Sequence, residues 1–404
     1  MKRITIILLF LILSSKYFSQ NFWEKLSDVP SGTLTCMAID SENRIFVGGF
    51  PNGYYKSTDG GLTWQGVPQY ARYPLSCAIN ENDEIFLGIG GGYGVFRSLD
   101  HGLTWLEINS GLTDRNIVCF AFDSDNTVYA GTLSGKVFKS VNNDQNWNEA
   151  DYGISSSRIY DLLTLSNGRV LAGTDSGLYK SDDHGDTWII ANEQLNNKSI
   201  YCLAKNSHNK IFIGTNERNI LSSNDFGDNW ELNFVSPSTI NGISINSQDN
   251  IFVLCGDTIF YSQDDGINWN SFGSVYPYTP YQKLKINNDG YVFLKAGPAM
   301  FRSINSTIEV GETKPYFFTF YLKQNYPNPF NPSTKISYQL PNAGVVTLKI
   351  FDVLGREVAT LVDEHKNADI YKIEFNANNL PSGVYFYQLR AGEYIETKKM
   401  ILLK

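Results

Sequence analysis

The chain has 404 residues, 14% of them aromatic and 34 of them glycine, and a formal net charge of -8. That length allows a large core and two domains, and the composition suits many short strands and tight turns better than helices. Residues 20–320 hold 20 basic and 33 acidic side chains, against 10 and 8 in residues 321–404, so the acidic body argues against nucleic acid or anionic membrane as its main partner.

Residues 1–19 read as a signal peptide. Met1-Lys2-Arg3 is a charged start, and residues 4–13 form an apolar run too short to span a bilayer comfortably. Cleavage is expected near Ser19 and Gln20, although Tyr17 is a poor residue three positions before that cut. No later segment is long and apolar enough to cross a membrane, so no membrane span is expected in the mature chain.

From there one unit recurs. An apolar strand (200–204, IYCLA) leads to a polar turn, a second strand (211–214, IFIG), a loop and a third strand such as 177–181 (GLYKS). The pattern S-x-D-x-G-x-T-W then turns the chain, and its Trp opens a fourth strand. Residues 57–64 (STDGGLTW), 98–105 (SLDHGLTW) and 181–188 (SDDHGDTW) match fully. Residues 223–230 (SNDFGDNW) and 262–269 (SQDDGINW) carry Asn for Thr, and 140–147 (SVNNDQNW) is a degenerate copy. A Ser hydroxyl and an Asp carboxylate can each accept backbone N–H bonds inside such a turn, Gly supplies a backbone angle that a Cβ resists, and Trp buries a large surface. Asp59, Asp100, Asp183, Asp225 and Asp264 are therefore read as structural, although they resemble catalytic acids; calcium at one or two turns is the minor reading.

The tryptophans count the repeats. Trp23, Trp64, Trp105, Trp147, Trp188, Trp230 and Trp269 are spaced by 41, 41, 42, 41, 42 and 39 residues. Six follow a turn pattern; Trp23 opens the mature chain instead. The last repeat breaks off near Asn305 after three strands, so the strand around Trp23 is expected to complete it and close a ring of seven. The turn resembles the Asp-box of sialidase-like β-propellers, and the period is that of a four-stranded blade. In that family the boxes lie on the face opposite the active site. The expected fold is all-β: a seven-bladed propeller over 20–305, a linker at 306–320, and a small sandwich over 321–404.

The five cysteines make no disulfide framework. Cys36, Cys77, Cys119 and Cys202 are read at one repeat position on the innermost strands, completed by Asp161, Gly242 and Gln282. Such a ring lacks a chelating spacing, so no metal and no cofactor is expected.

A propeller usually binds at its channel mouth. Arg72, Arg115, Arg158 and Lys198 fall at similar places in four consecutive mouth loops and are the candidate ligand-binding residues. Sialidases hold a substrate carboxylate with three arginines, each making two parallel hydrogen bonds. The comparison stops there: the Arg-Ile-Pro signature is absent, and Tyr160 and Tyr201 with Glu217 make only a hand-picked nucleophile set. Xyloglucan-degrading relatives use carboxylate pairs, for which Asp114, Asp151, Asp175 and Glu217 are loop acids in the right region. No Ser–His or Cys–His constellation, H-E-x-x-H or phosphate loop is present. No catalytic residue is assigned.

The sequence changes character at residue 321. Residues 326–334 (YPNPFNPST) cannot form a central strand, and alternating runs follow at 335–340, 345–351, 357–362, 370–375, 383–390 and 394–403. Five to seven short strands in so few residues read as an immunoglobulin-like sandwich. YPNPFNPST, 350–358 (IFDVLGREV), 380–389 (LPSGVYFYQL) and the closing 398–404 (KKMILLK) closely resemble the C-terminal sorting domain of type IX secretion cargo in Bacteroidetes. The resemblance implies type IX secretion machinery as a partner, a secreted or surface location reached through the periplasm, and removal of the tail within 306–320. The leading expectation is a monomeric, non-catalytic protein binding an extracellular glycan or protein; the alternative is an extracellular glycoside hydrolase. Propeller-type photosystem assembly factors and sialidases share the fold, so fold alone decides little.

Overall fold

The computed structural model describes residues 23–26, 29, 32–50, 53–67, 73–141, 146–274, 283–296, 299–304, 306–307, 320–340, 344–367, 369–392 and 394–404. The expected signal peptide, Arg72, Gln282, the centre of the degenerate turn and most of the linker lie outside them. The chain divides into two compact units, one holding residues 21–314 and the other the C-terminal residues from 315.

The first unit is a seven-bladed propeller. Blade one runs Thr33–Ile39, Ile45–Phe50, Gly53–Ser57 and Gln65–Val67, each strand antiparallel to the next. Five further blades repeat this order, with first strands Pro74–Ile79, Ile117–Phe122, Ile159–Thr164, Ile200–Lys205 and Ile240–Ile245. Blade seven takes Lys283–Ile286, Val292–Ala296 and Ala299–Ser303 from the end of the unit and Trp23–Lys25 from its beginning. Trp23 pairs with Ser303, Glu24 with Arg302 and Lys25 with Phe301. Trp23 is buried edge-on against Phe272, and Leu26 is buried as well. The N-terminal strand therefore covers what would be an open sheet edge. Successive first strands touch one another, and that of blade seven touches that of blade one, so they surround the axis.

The second strand of each blade is buried along its length in blades two to seven, which is why these strands read as mostly apolar runs rather than alternating ones, Lys295 of blade seven being the exception in charge. Apolar clusters lie in the joints between blades. One joins Phe86 and Val95 of blade two to Phe120 and Phe138 of blade three, and another joins Leu171 of blade four to Ile213 of blade five.

Five turns share one hydrogen-bond plan. At Ser181 the hydroxyl accepts from Gly185 N at 2.7 Å and donates to Asp183 Oδ1 at 2.7 Å. Asp183 Oδ1 also accepts from Thr187 N at 2.8 Å, and Thr187 Oγ1 donates to Oδ2 at 2.6 Å. Asp59, Asp100, Asp225 and Asp264 repeat the arrangement, with Asn229 and Asn268 amides replacing the threonine hydroxyl in the last two. Gly185 has φ 87°, and a Cβ there would lie 3.0 Å from the Tyr129 ring, so conformation and space both select glycine.

The second unit is a β-sandwich. One sheet orders Tyr321–Leu322, Ser333–Leu340 and Asp369–Asn376; the other orders Glu357–Lys366, Gly344–Phe351, Gly383–Ala391 and Tyr394–Leu402. Ile336, Tyr338, Leu348, Ile350, Tyr387, Leu389, Met400 and Leu402 fill the space between them. The Pro-rich opening makes isolated bridges, Tyr326 with Lys335 and Phe330 with Leu402, and is further anchored by side chains. Buried Asn325 donates to Pro327 O and Thr334 Oγ1, both at 3.0 Å, and Phe330 enters the core. Among the described residues no helix is long and apolar enough to cross a membrane.

Candidate functional site

The path of each connector decides which residues reach the channel mouth. After the short outer strand, the chain first docks on the tryptophan of the following blade. Trp147 Nε1 donates to Ile108 O at 2.6 Å, and Trp188 Nε1 to Ala150 O at 2.8 Å, while Trp188 N reaches Tyr152 O at 2.9 Å. The connector then travels inward and is clasped to the loop between the second and third strands of the blade it enters. Gly90 N donates to Tyr73 O, Leu133 N to Asn116 O, Asp175 N to Arg158 O, Asn216 N to Ser199 O and Gly256 N to Thr239 O, at 2.7–3.3 Å. The start of a connector is thus at the perimeter and only its end is at the mouth.

This sorts the candidate residues. Arg72 falls outside the described residues. Arg115 is exposed, and no partner holds it among the described residues. Arg158 lies over the Tyr160 ring at 5.2 Å, and Tyr160 meets Tyr201 edge-on at 5.1 Å and 80°. Lys198 pairs with Glu217 at 2.8 Å. Blades four and five therefore bring Arg158, Tyr160 and Tyr201 together; Arg115 has no such contact.

Tyr160 and Tyr201 project where they do because of a bulge. In blades one to six the first strand slips register by one residue, leaving Thr35, Leu75, Val118, Tyr160, Tyr201 and Asn241 unopposed. A bulge re-aims a side chain and ends regular pairing. The aromatic pair is the sequence feature that could have marked this site, since no other two successive blades carry rings at the bulged position.

The loop acids are engaged by near neighbours. Asp114 accepts from Asn116 N at 3.0 Å and Ser134 Oγ at 2.5 Å. Asp175 accepts from Ser156 Oγ at 2.7 Å and Ser157 N at 3.2 Å. Burial raises both acids, but these hydrogen bonds outweigh it and hold both below the usual carboxylate range. Asp151 goes the other way, raised by burial and by Glu149 against the pull of Lys136. Its neighbours Ala150 and Tyr152 are bonded to Trp188, so Asp151 sits at the perimeter and not with the mouth acids.

Below the mouth, side chains stitch the first strands together. Ser76 Oγ donates to Ile117 O at 2.8 Å, Thr164 Oγ1 to Phe122 O at 2.5 Å, and Asp161 Oδ2 accepts from Leu203 N at 2.9 Å. Thr35 Oγ1 donates to Pro74 O, and Lys295 Nζ to Leu34 O, which ties blade seven to blade one. Asp161 is raised by the protein surrounding it, while Leu203 N–H, Lys283 and Lys285 pull it down. Lys283 also lowers Cys77, Cys119, Cys202 and Lys295.

Register corrects the cysteine ring. Cys36, Cys119 and Cys202 lie opposite Gly48, Gly131 and Gly214. In blade two the residue opposite the corresponding Gly88 is Ser76, and Cys77 is one place further on, opposite Leu87. In blade seven the slot belongs to Lys283, opposite Lys295. The ring reads Cys36, Ser76, Cys119, Asp161, Cys202, Gly242 and Lys283. Among the described residues no three His, Cys, Asp or Glu side chains cluster as metal ligands.

The family of secretion system C-terminal sorting domains matches residues 324–403. That tail directs the protein to the cell surface or extracellular space by type IX secretion, and implies contact with the secretion machinery. An oligoxyloglucan-reducing end-specific xyloglucanase of Emericella nidulans is 23% identical over 210 residues, 49% of this chain and 22% of its own. The chain thus spans about a fifth of the length of that curated relative. PorZ, a surface component of the type IX secretion system of Porphyromonas gingivalis, superposes with a TM-score of 0.52 at 14% identity, over 91% of this chain and 59% of its own. YCF48 bound to D1 peptide superposes with a TM-score of 0.56 at 16% identity, over 71% of this chain and 98% of its own. At these identities the likeness is one of fold.

Proposed function

We propose that the exported propeller is a non-catalytic binding protein that takes an extracellular glycan or peptide at its channel mouth, over blades four and five. The observation that carries this is the Tyr160–Tyr201 pair with Arg158 on its flank. Edge-on rings offer apolar faces for a sugar or an apolar side chain, and an exposed guanidinium beside them adds directional donors. The nearby Asp175 and Glu217 are committed to neighbours, and Asp175 is held low, which suits a carboxylate that orders loops better than a proton donor. A propeller of this shape has been solved with a peptide bound, and another serves at a bacterial surface, so binding is within the reach of the fold.

In this reading residues 1–19 are a signal peptide, the five Ser-Asp-Gly turns are structural Asp-boxes, and the tail is removed within 306–320 on arrival. The test is a glycan array and a peptide array on the purified chain, followed by titration of any hit. Tyr160→Ala with Tyr201→Ala should weaken a hit at least tenfold. Unchanged affinity would sink the assignment of the mouth.

The xyloglucanase likeness favours a second reading, a glycan hydrolase. That reading needs two carboxyls roughly 6–9 Å apart across a cleft. Release of reducing sugar that is abolished by Asp175→Asn or Glu217→Gln would replace the binding reading with this one.

A further inference from the structure

Two thiols meet in the joint between blades one and two. Each first strand presents one residue forward, towards the following blade, and the succeeding residue backward. Forward positions are Cys36, Ser76, Cys119, Asp161, Cys202, Gly242 and Lys283, by their register against the second strands. Backward positions are Met37, Cys77, Phe120, Leu162, Leu203, Ile243 and Leu284. Six of the seven backward residues are large and apolar; Cys77 breaks the series, and the residue facing it is Cys36.

Geometry supports the meeting. A Cβ built on Gly48 would lie 2.6 Å from Cys36 Sγ and 2.6 Å from Pro74 of blade two, so the Cys36 thiol is directed at the neighbouring first strand. Cys77 packs into the cluster that joins Phe46 and Tyr54 of blade one to Leu87 and Phe96 of blade two. The two thiols are near enough to act on one another, Cys77 lowering Cys36 and Cys36 raising Cys77. Both are free cysteines in the structure, and the Tyr54 hydroxyl beside them is buried with no hydrogen-bond partner. Lys295 lies fully buried on the other side of blade one's first strand, with Nζ on Leu34 O.

We propose that Cys36 and Cys77 form a disulfide during export, which staples blade one to blade two beside the channel. The compartment supplies the oxidant class: a thiol oxidase carrying an exchangeable disulfide. The Cys36 thiolate attacks one sulfur of that disulfide, giving a mixed disulfide and releasing the oxidant's other sulfur as thiolate. Cys77 gives up its proton and attacks the Cys36 sulfur, which expels the oxidant. One S–S bond forms in the chain and one breaks in the oxidant; two electrons and two protons pass to the oxidant, which leaves as a dithiol.

The environment suits the order of attack. Burial pushes the Cys36 thiol up, but the Cys77 contact, the Gly48 backbone and the Lys295 ammonium hold it below its usual value. Cys77 is raised by burial and by Cys36. The thiol of lower pKa supplies the nucleophile.

The experiment is thiol mapping on the full-length chain recovered after export. Free thiols are blocked with N-ethylmaleimide in denaturant at acid quench, and the digest is read by mass spectrometry. The expected result is one reductant-sensitive crosslink between the Cys36 and Cys77 peptides, with Cys119, Cys202 and Cys255 blocked. Cys77→Ala should leave Cys36 blocked. Closing this loop should lower the unfolding equilibrium constant on the order of several hundred-fold relative to the reduced protein. Blocked Cys36 and Cys77 in the exported protein, or a crosslink from either to a different cysteine, would overturn the proposal. Should export fail, the same mapping on protein refolded in a glutathione redox buffer gives the same two outcomes.

Discussion

Lys295 is fully buried in the blade seven to blade one joint, and replacing it should make the propeller more stable. Burial, reinforced by Lys283 and opposed by Cys36 and Cys77, pushes its ammonium down to about 7. An unfolded lysine titrates near ~10.4, so at pH 7 the fold forgoes about 4 kcal/mol relative to a side chain that never ionises. Lys295→Met keeps most of the volume, removes that cost and loses the hydrogen bond to Leu34 O, worth about 1 kcal/mol. The variant should therefore gain about 3 kcal/mol at pH 7. Between pH 7 and about 10 the unfolded chain holds a proton that folded Lys295 has shed, so the stability of the native protein rises with pH across that window. By pH 8.5 unfolded thiols are about half ionised, but alike in parent and variant, so the gap should still narrow by about 2 kcal/mol. Urea denaturation at both pH values, with reductant present, measures it. A variant less stable than its parent at pH 7, or a gap unchanged at pH 8.5, would refute the reasoning.

Two further outcomes are expected. Asp183→Ala should cost about 1 kcal/mol at neutral pH, the modest value fitting a largely exposed turn, by removing the acceptor for Thr187 N and Oγ1. Hydrogen bonds from Thr187 hold Asp183 down to about 2, so this stability is present above the unfolded value near ~4 and is lost as pH falls through 2. Urea melts of parent and variant should converge at the acid end; a constant difference would mean that the carboxylate is not the stabilising group. Deleting residues 321–404 should leave a folded propeller in the periplasm, read by cell fractionation and protease resistance. Equal arrival of the truncated chain in the medium would remove the tail's role as the sorting signal.

Closure by the Trp23 strand was legible because it rests on a count: seven tryptophans, six turns and one incomplete last repeat leave a single place for the first strand. The sandwich was legible for a similar reason, since alternating runs and turn residues are local. Cys77 was misplaced because the tryptophan period hides a one-residue shorter approach to the first strand of blade two, whose bulge is the same as that of blade one. The tryptophan period carries Cys36 to Cys77 in 41 residues, yet the structural equivalent of Leu34 is Pro74, 40 residues on. One residue of slip exchanges the forward and backward faces of a strand. The off-register cysteine then faces the one in register, which a ring of equivalent positions could never bring about. Lys295 was hidden in another way. A lysine ending an apolar strand reads as an exposed terminus, and only the contact with blade one buries it. Its slot holds Gly48, Gly88, Gly131, Gly173 and Gly214 in blades one to five, because a Cβ there would strike the following blade's first strand. Leu254 takes the slot in blade six, where Gly242 makes room opposite. In blade seven a long side chain fills it and reaches across to Leu34 O, at the one joint formed between the two ends of the propeller. The loop acids were ambiguous for a third reason. Asp151 begins the connector into blade four, against Trp188, whereas Asp175 lies in the loop that clasps the far end of that connector at the mouth, and that difference is set by the inward path of the chain.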